Sequence, residues 1–246
     1  MLGIIIQART NSTRLPNKVI LPFFENKTIL DILIEKFKLY IPEYRIIVAT
    51  TTSKSDNKIV ELSEKQGVIA YRGSEEDVLK RFVEAAEVNS LDRIVRICSD
   101  NPFLDVIGLK VLIDYFSYTN SDYCSFMYNN TPVIKTHFGL WGECISLNAL
   151  KRVEEETIDL IYREHVTNYI YTHPSSFDIK LIDVPEIVRK NKGIRLTVDT
   201  IDDFRIAQKL YTSTRNNQSI EYLINEIVND NYLLETMRVQ IKANTK

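Results

Sequence analysis

The chain has 246 residues, 44% of them hydrophobic, enough for one large domain or two small ones with a proper core. Its 31 Lys+Arg against 33 Asp+Glu give a net charge of −2, which argues against a nucleic-acid binder with a globally basic face and against a disordered chain. No apolar stretch approaches the roughly 20 residues of a membrane span, and three cysteines without a CxxC pair make a poor disulfide framework, so a reduced, cytoplasmic, globular protein is expected.

Residues 4–7 are a short apolar run without the basic lead of a signal peptide, and read as a buried first strand. A helix is expected over 28–40, where Ile29, Leu30, Leu33, Ile34 and Phe37 recur at helical spacing. The β-branched run 45–50 predicts a second strand, 55–66 a helix polar on one face, 67–71 a third strand and 75–89 a third helix. A fourth strand over 92–98 and a fourth helix over 106–118 continue the alternation. Short apolar strands alternating with helices imply a parallel sheet covered on both faces. In such sheets ligands sit beyond the carboxyl ends of the strands. The segments after Gln7, Thr50, Tyr71 and Cys98 are therefore the places to look for function.

The second half reads less regularly. Strands are expected over 122–127, 138–146, 177–184 and 193–198, and helices over 148–155, 162–171 and 202–213, with two more from 216 onward. The expected organisation is one α/β domain over 1–215, with an irregular stretch at about 120–190 as acceptor or dimer region, followed by a C-terminal helical extension over 216–246.

Only seven glycines occur, none spaced as a dinucleotide fingerprint or a Walker A loop, so phosphate chemistry here needs another kind of loop. The stretch from Gln7 and Ala8 to Lys18 offers one. No acidic residue precedes Glu25, so Arg9, Arg14 and Lys18 form a local cationic cluster. Arginine supplies a planar fork of donors and lysine a mobile point charge, a mixture suited to a polyphosphate. Ser12, Thr13 and backbone N–H groups can complete an anion cradle. Asn11 and Asn17 can adopt left-handed conformations that otherwise call for glycine. The same residues also suit an ordinary solvated loop.

The segment IIQARTNSTRLPNKVILP resembles the N-terminal signature of sugar-nucleotide cytidylyltransferases, in particular the SpsF-like spore-coat polysaccharide branch, akin to the CMP-Kdo and CMP-acylneuraminate synthetases. The family commonly reads R-x-G-S-T-R-L-P-G-K; here Asn11 and Asn17 replace the glycines and both basic anchors remain. Three further matches follow in family order: Arg72-Gly73-Ser74 with Asp77-Val78-Leu79, Arg96 to Pro102 with Ser99 for the usual glycine, and Val198-Asp199-Thr200 with Asp202. Together with Arg163-Glu164-His165 they reach to about residue 210.

The resemblance implies a Rossmann-like three-layer αβα fold with a mostly parallel central sheet, of the nucleotide-diphospho-sugar transferase (GT-A) type, with extra C-terminal helices. It implies a Mg²⁺-dependent transfer of CMP from CTP to a sugar acid (nonulosonic or Kdo-like) with release of pyrophosphate, for surface polysaccharide biosynthesis. Arg14, Lys18 and Asp100 would be catalytic, with Asp100 and Asp199 holding the metal. Gln7, Ala8, Arg9, Ser12, Thr13, Arg72, Gly73 and Ser74 would bind the nucleotide. Trp141, Glu143 and His165 are weaker candidates for the acceptor, Trp141 standing where the family often has aspartate. Asp202 and Asp203 are expected to give the following helix its negative N-terminus and nothing more. A cytoplasmic homodimer is expected, with no nucleic-acid or membrane partner. Two alternatives stay open: a GT-A glycosyltransferase using a nucleotide sugar, and an inactive nucleotide-binding partner.

Overall fold

In the computed structural model, which describes residues 1–244, the four apolar runs of the first half lie side by side. β1 (Leu2–Gln7) is flanked by β2 (Arg45–Thr51) and β4 (Arg93–Cys98), with β3 (Ile69–Gly73) beyond β2, all in parallel. The two-residue alternation of a strand divides β1: Ile4 and Ile6 enter one apolar core and Ile5 the other. Both faces of the sheet are therefore buried. The first core packs against α1 (Ile29–Tyr40), α2 (Asn57–Lys65) and α4 (Val106–Thr119), the second against α3 (Val78–Val88) and α5 (Leu147–Glu156). This is the expected three-layer arrangement. Thr28 and Asp31 form a reciprocal capping box that sets where α1 starts.

Beyond β4 the direction reverses. β7 (Glu143–Ser146) pairs antiparallel to β4, and β5 (Tyr123–Tyr128) antiparallel to β7. β6 (Thr131–Pro132) closes a short hairpin on β5, and β8 (Ile179–Asp183) lies parallel on its other side. The result is an eight-stranded, mostly parallel sheet with the order β3-β2-β1-β4-β7-β5 and β8 outermost on β5.

Three second-half expectations need correction. Residues 193–198 join no strand ladder; single bonds from Leu196 N to His137 O and from Val198 N to Asp100 O tie them to loops. The helix expected over 162–171 breaks at His165 into α6 (Leu160–Glu164) and α7 (Asn168–Thr172). Only the last four residues of 138–146 are strand: Gly139 takes a φ of +61°, and Gly142 runs so close to β4 that a Cβ there would lie 2.5 Å from the Arg96 carbonyl. A short α8 (Glu186–Lys190) was not foreseen.

α9 (Ile201–Thr214), α10 (Ile220–Asn229) and α11 (Asn231–Ala243) close the first core, where Leu223, Ile224, Ile227 and Met237 are buried with the sheet residues. Residues 245–246 of the expected C-terminal extension lie outside the described residues. Among the described residues no helix is long and apolar enough to cross a membrane.

Candidate active site

The loop after β1 is built from its own polar side chains. Thr10 donates through its backbone N–H (2.8 Å) and its hydroxyl to the buried Asp56 carboxylate, which also accepts from Thr50 and Thr51. Burial works against the charged form of Asp56, but these bonds outweigh it and hold the carboxyl below its ordinary range. Leu15 and Val19 anchor the far end of the loop in the core. Asn17 takes the left-handed conformation (φ 62°), so at that position asparagine does what glycine does in the family pattern; Asn11 does not, and instead donates to Glu75.

Lys18 is carried by this loop to the floor of a cavity of about 370 Å³. Its Nζ donates to Asp100 Oδ2 (2.9 Å), the Val198 carbonyl (2.7 Å) and Asp199 Oδ1 (3.3 Å). Burial opposes the ammonium, yet the two carboxylates raise its pKa above the ordinary lysine value, so it stays charged. Asp199 Oδ1 also meets Arg14 Nη2 at 2.9 Å, and Asp199 Oδ2 meets Arg195 Nη2 at 3.0 Å. The half-exposed Arg14 donates its other terminal nitrogen to Asn244, just past α11 (3.0 Å). Arg195 is sealed in place by Asp203, two bonds of 2.7 Å each. Asp203 therefore does more than charge a helix end: it caps α9 with Thr200, fixes Arg195 and accepts from the Asp199 backbone. The T-x-x-D spacing of a capping box was the available signal.

Two carboxylates touching one ammonium face the same point of the cavity. Hard oxygens in that arrangement fit Mg²⁺, which takes one or two protein carboxylates and completes its shell with phosphate and water. Among the described residues no cluster of three or more His, Cys, Asp or Glu is present, so a metal here would need those outside ligands.

Of the other expected residues, Gln7, Arg9, Ser12, Thr13 and His165 also line the cavity. Arg9 makes a loose ion pair with Glu164 at 3.6 Å. Burial, with Arg96 and Lys135 nearby, pushes the His165 pKa down against the opposing pull of Glu164, leaving a neutral imidazole at neutral pH. Ala8 is buried and donates its N–H to Ala49. The 72–74 segment lies outside the cavity wall. Arg72 is fully engaged by Thr51 O, Ser53 O and Asn57, while Ser74 Oγ accepts from Asp77 N.

Arg96, Cys98, Ser99 and Glu164 line the cavity without having been singled out for the site. Arg96 donates to Gln7 Oε1 at 3.2 Å and pairs with Glu143. Glu143 itself does not reach the cavity. It is buried, accepting from Arg96, from the Tyr123 hydroxyl and from Thr167 (3.0 Å). The register of β4 with β7 places Arg96 opposite Glu143, which is why they meet. Trp141 also stays out of the main cavity. Its indole N–H donates to Asp105 (3.0 Å) and its ring packs on Phe126, with centroids 4.7 Å apart.

A sheet of this topology, with a basic loop after its first strand, Asp100 just past β4 and Asp199 just before α9, both meeting Lys18 of that loop, defines a nucleotidyltransferase. The chain belongs to the cytidylyltransferase family, whose sequence profile matches residues 3–238. It is 36% identical over 212 residues to the spore coat polysaccharide biosynthesis protein SpsF of Bacillus subtilis, covering 84% of this chain and 85% of that protein. A solved cytidylyltransferase from Leptospira borgpetersenii superimposes with a TM-score of 0.83 at 28% identity, covering 95% of both chains. CMP:2-keto-3-deoxy-manno-octonic acid synthetase complexed with CTP shares the fold, with a TM-score of 0.65 at 14% identity over 86% of this chain and 98% of that one. Family membership sets the GT-A glycosyltransferase alternative aside.

Proposed function

We propose that this enzyme transfers CMP from CTP to a sugar acid, with Mg²⁺ and with release of pyrophosphate, in surface polysaccharide biosynthesis. The observation that carries the reading is Lys18 held between Asp100 and Asp199, with Arg14 on the same carboxylate. These cations and carboxylates satisfy one another, and a triphosphate arriving with a divalent cation exchanges the partners of Arg14, Lys18 and Asp100 together. The name of SpsF supports the polysaccharide role and the CMP-Kdo synthetase complex supports CTP.

Asp100 and Asp199 would hold the Mg²⁺, which when bound neutralises charge at the α-phosphate. Lys18 and Arg14 turn to the β- and γ-phosphates and stabilise the leaving pyrophosphate. Gln7, held by Arg96, presents its amide N–H to the same ligand. Such chemistry is positioning plus electrostatics, so the residues need only align the acceptor hydroxyl with the α-phosphorus. Arg9 stays with the nucleotide and His165 with the acceptor; a neutral His165 contributes a hydrogen bond and no charge. The enzyme works in the cytoplasm as a homodimer in this reading, which sedimentation checks.

Pyrophosphate release across the four nucleoside triphosphates and a panel of sugar acids tests the reading. Release with CTP and one acceptor, lost in Asp100→Asn, is expected. CTP binding without release for any acceptor would favour the inactive nucleotide-binding partner, and no nucleotide binding would contradict both.

A further inference from the structure

The loop after β1 is fixed at two points of different kind. Leu15 and Val19 pack its far end into the core, and apolar contact has no preferred direction. Its near end is held by directed bonds. Asp56 Oδ1 accepts from the Thr10 backbone N–H and hydroxyl, while Oδ2 accepts from Thr51 N (3.1 Å) and from the Thr50 and Thr51 hydroxyls. The Thr10 carbonyl in turn accepts from Ser12 N (2.9 Å) and Asn17 N (2.8 Å), closing residues 10–17 into a ring that ends one residue before Lys18. Arg14 lies within that ring.

Asp56 stands at the N-cap position of α2, where an aspartate ordinarily accepts a bond from the first turn of the helix. Among the described residues it makes no such bond, and neither it nor Thr10 lines the cavity. Its carboxylate is turned instead to the end of β2 and to Thr10, buried with them. An apolar side chain could anchor the loop without the cost of burying a charge. What the carboxylate adds is a fixed angle and distance, and donors that stabilise a phosphate must be held that closely. Resting on the cytidylyl-transfer reading above, we propose that Asp56 is a positioning residue: through Thr10 it sets where Lys18 and Arg14 stand for the β- and γ-phosphates of CTP, without touching the nucleotide.

Calorimetric titration of CTP and of CMP, each with Mg²⁺, tests this in the wild type, Asp56→Asn, Thr10→Val and Thr10→Ser. CMP lacks the two phosphates that the cations of the loop meet, so it reports the rest of the site and the fold. A carboxamide at position 56 turns its NH₂ toward either Thr10 N or Thr51 N, so Asp56→Asn should weaken CTP about tenfold and CMP less than about threefold. Thr10→Val keeps the backbone bond and loses the hydroxyl; it should weaken CTP about fivefold, and Thr10→Ser should restore wild-type affinity. In Lys18→Met the further loss from Asp56→Asn should shrink to less than about threefold, because the cation it positions is gone. Wild-type CTP affinity in Asp56→Asn overturns the inference. Equal weakening of CTP and CMP, or an undiminished loss in Lys18→Met, overturns it too and makes Asp56 a residue of the fold alone. Where Asp56→Asn does not fold, Thr10→Val against Thr10→Ser decides by the same comparison of CTP with CMP. A wild type that binds CTP no more tightly than CMP removes instead the reading on which the inference rests.

Discussion

Lys18 against Asp100 and Asp199, and Arg96 against Glu143, are both cations held by carboxylates beside the same cavity, yet they differ in access. Lys18 (11%), Asp199 (9%) and Arg96 (7%) are all largely covered, but Asp100 keeps a quarter of its side chain exposed (26%) and Arg14 half (51%), whereas Glu143 is at 1%. In the first cluster Asp100 and Arg14 are open to a metal ion or a phosphate oxygen, while the bond of Asp199 to Arg195 stays sealed. In the second the carboxylate is satisfied by groups interior to the fold, and no ligand reaches it. Similar ionic chemistry therefore leaves groups open to exchange where solvent enters, and fixes them where it does not.

Breaking the sealed cluster should cost most. Glu143→Ala leaves the Arg96 charge buried and should lower stability by about 3–5 kcal/mol in denaturant titration. A loss below about 1 kcal/mol would show that water reaches Arg96 and that the two clusters do not differ. Next comes the open cluster. Lys18→Met should lower kcat/KM about 10²–10³-fold, with a much smaller change in stability than Glu143→Ala. If the two variants lose stability alike, Lys18 is structural.

The acid limb separates a third set of carboxylates. Asp56 and Asp203 are both held below the ordinary range, each by bonds that outweigh its burial. A depressed folded pKa means their contribution is full above the unfolded value of about 3.9 and disappears as pH falls through the folded one. Acid unfolding should thus begin only below about pH 4. Thr10→Val, which removes the hydroxyl donor from Asp56, should move the acid midpoint upward. The smallest effect is expected at Asn244→Ala, which removes one exposed bond to Arg14. About 0.5 kcal/mol, or a two- to threefold change in CTP affinity, is the expected size.

The same contrast explains what the sequence could show. The strands of the parallel half were legible because each is a continuous buried run, and the cavity-lining loop because Arg9, Arg14 and Lys18 stand without an acidic neighbour. The contacts of Glu143 and Trp141 were not: Arg96 meets Glu143 only once β7 packs antiparallel to β4, and Asp105, at the start of α4, meets Trp141 from a distant point of the sequence. Residues 193–198 look like a strand for a related reason. Leu196 and Val198 are buried as strand residues would be, but their N–H groups go to loop carbonyls, which apolar patterning does not encode. Arg72 bonds Thr51, Ser53 and Asn57, contacts that join β3 to the segment after β2 and that its motif does not encode.

Exchange of partners in the open cluster is measurable directly by calorimetric titration of CTP into the wild type and Asp100→Asn, with and without Mg²⁺. The wild type should bind CTP more tightly with Mg²⁺ than without, and Asp100→Asn should lose that increment. Equal affinity with and without Mg²⁺ in the wild type would contradict the exchange of Lys18 and Arg14 from carboxylate to phosphate.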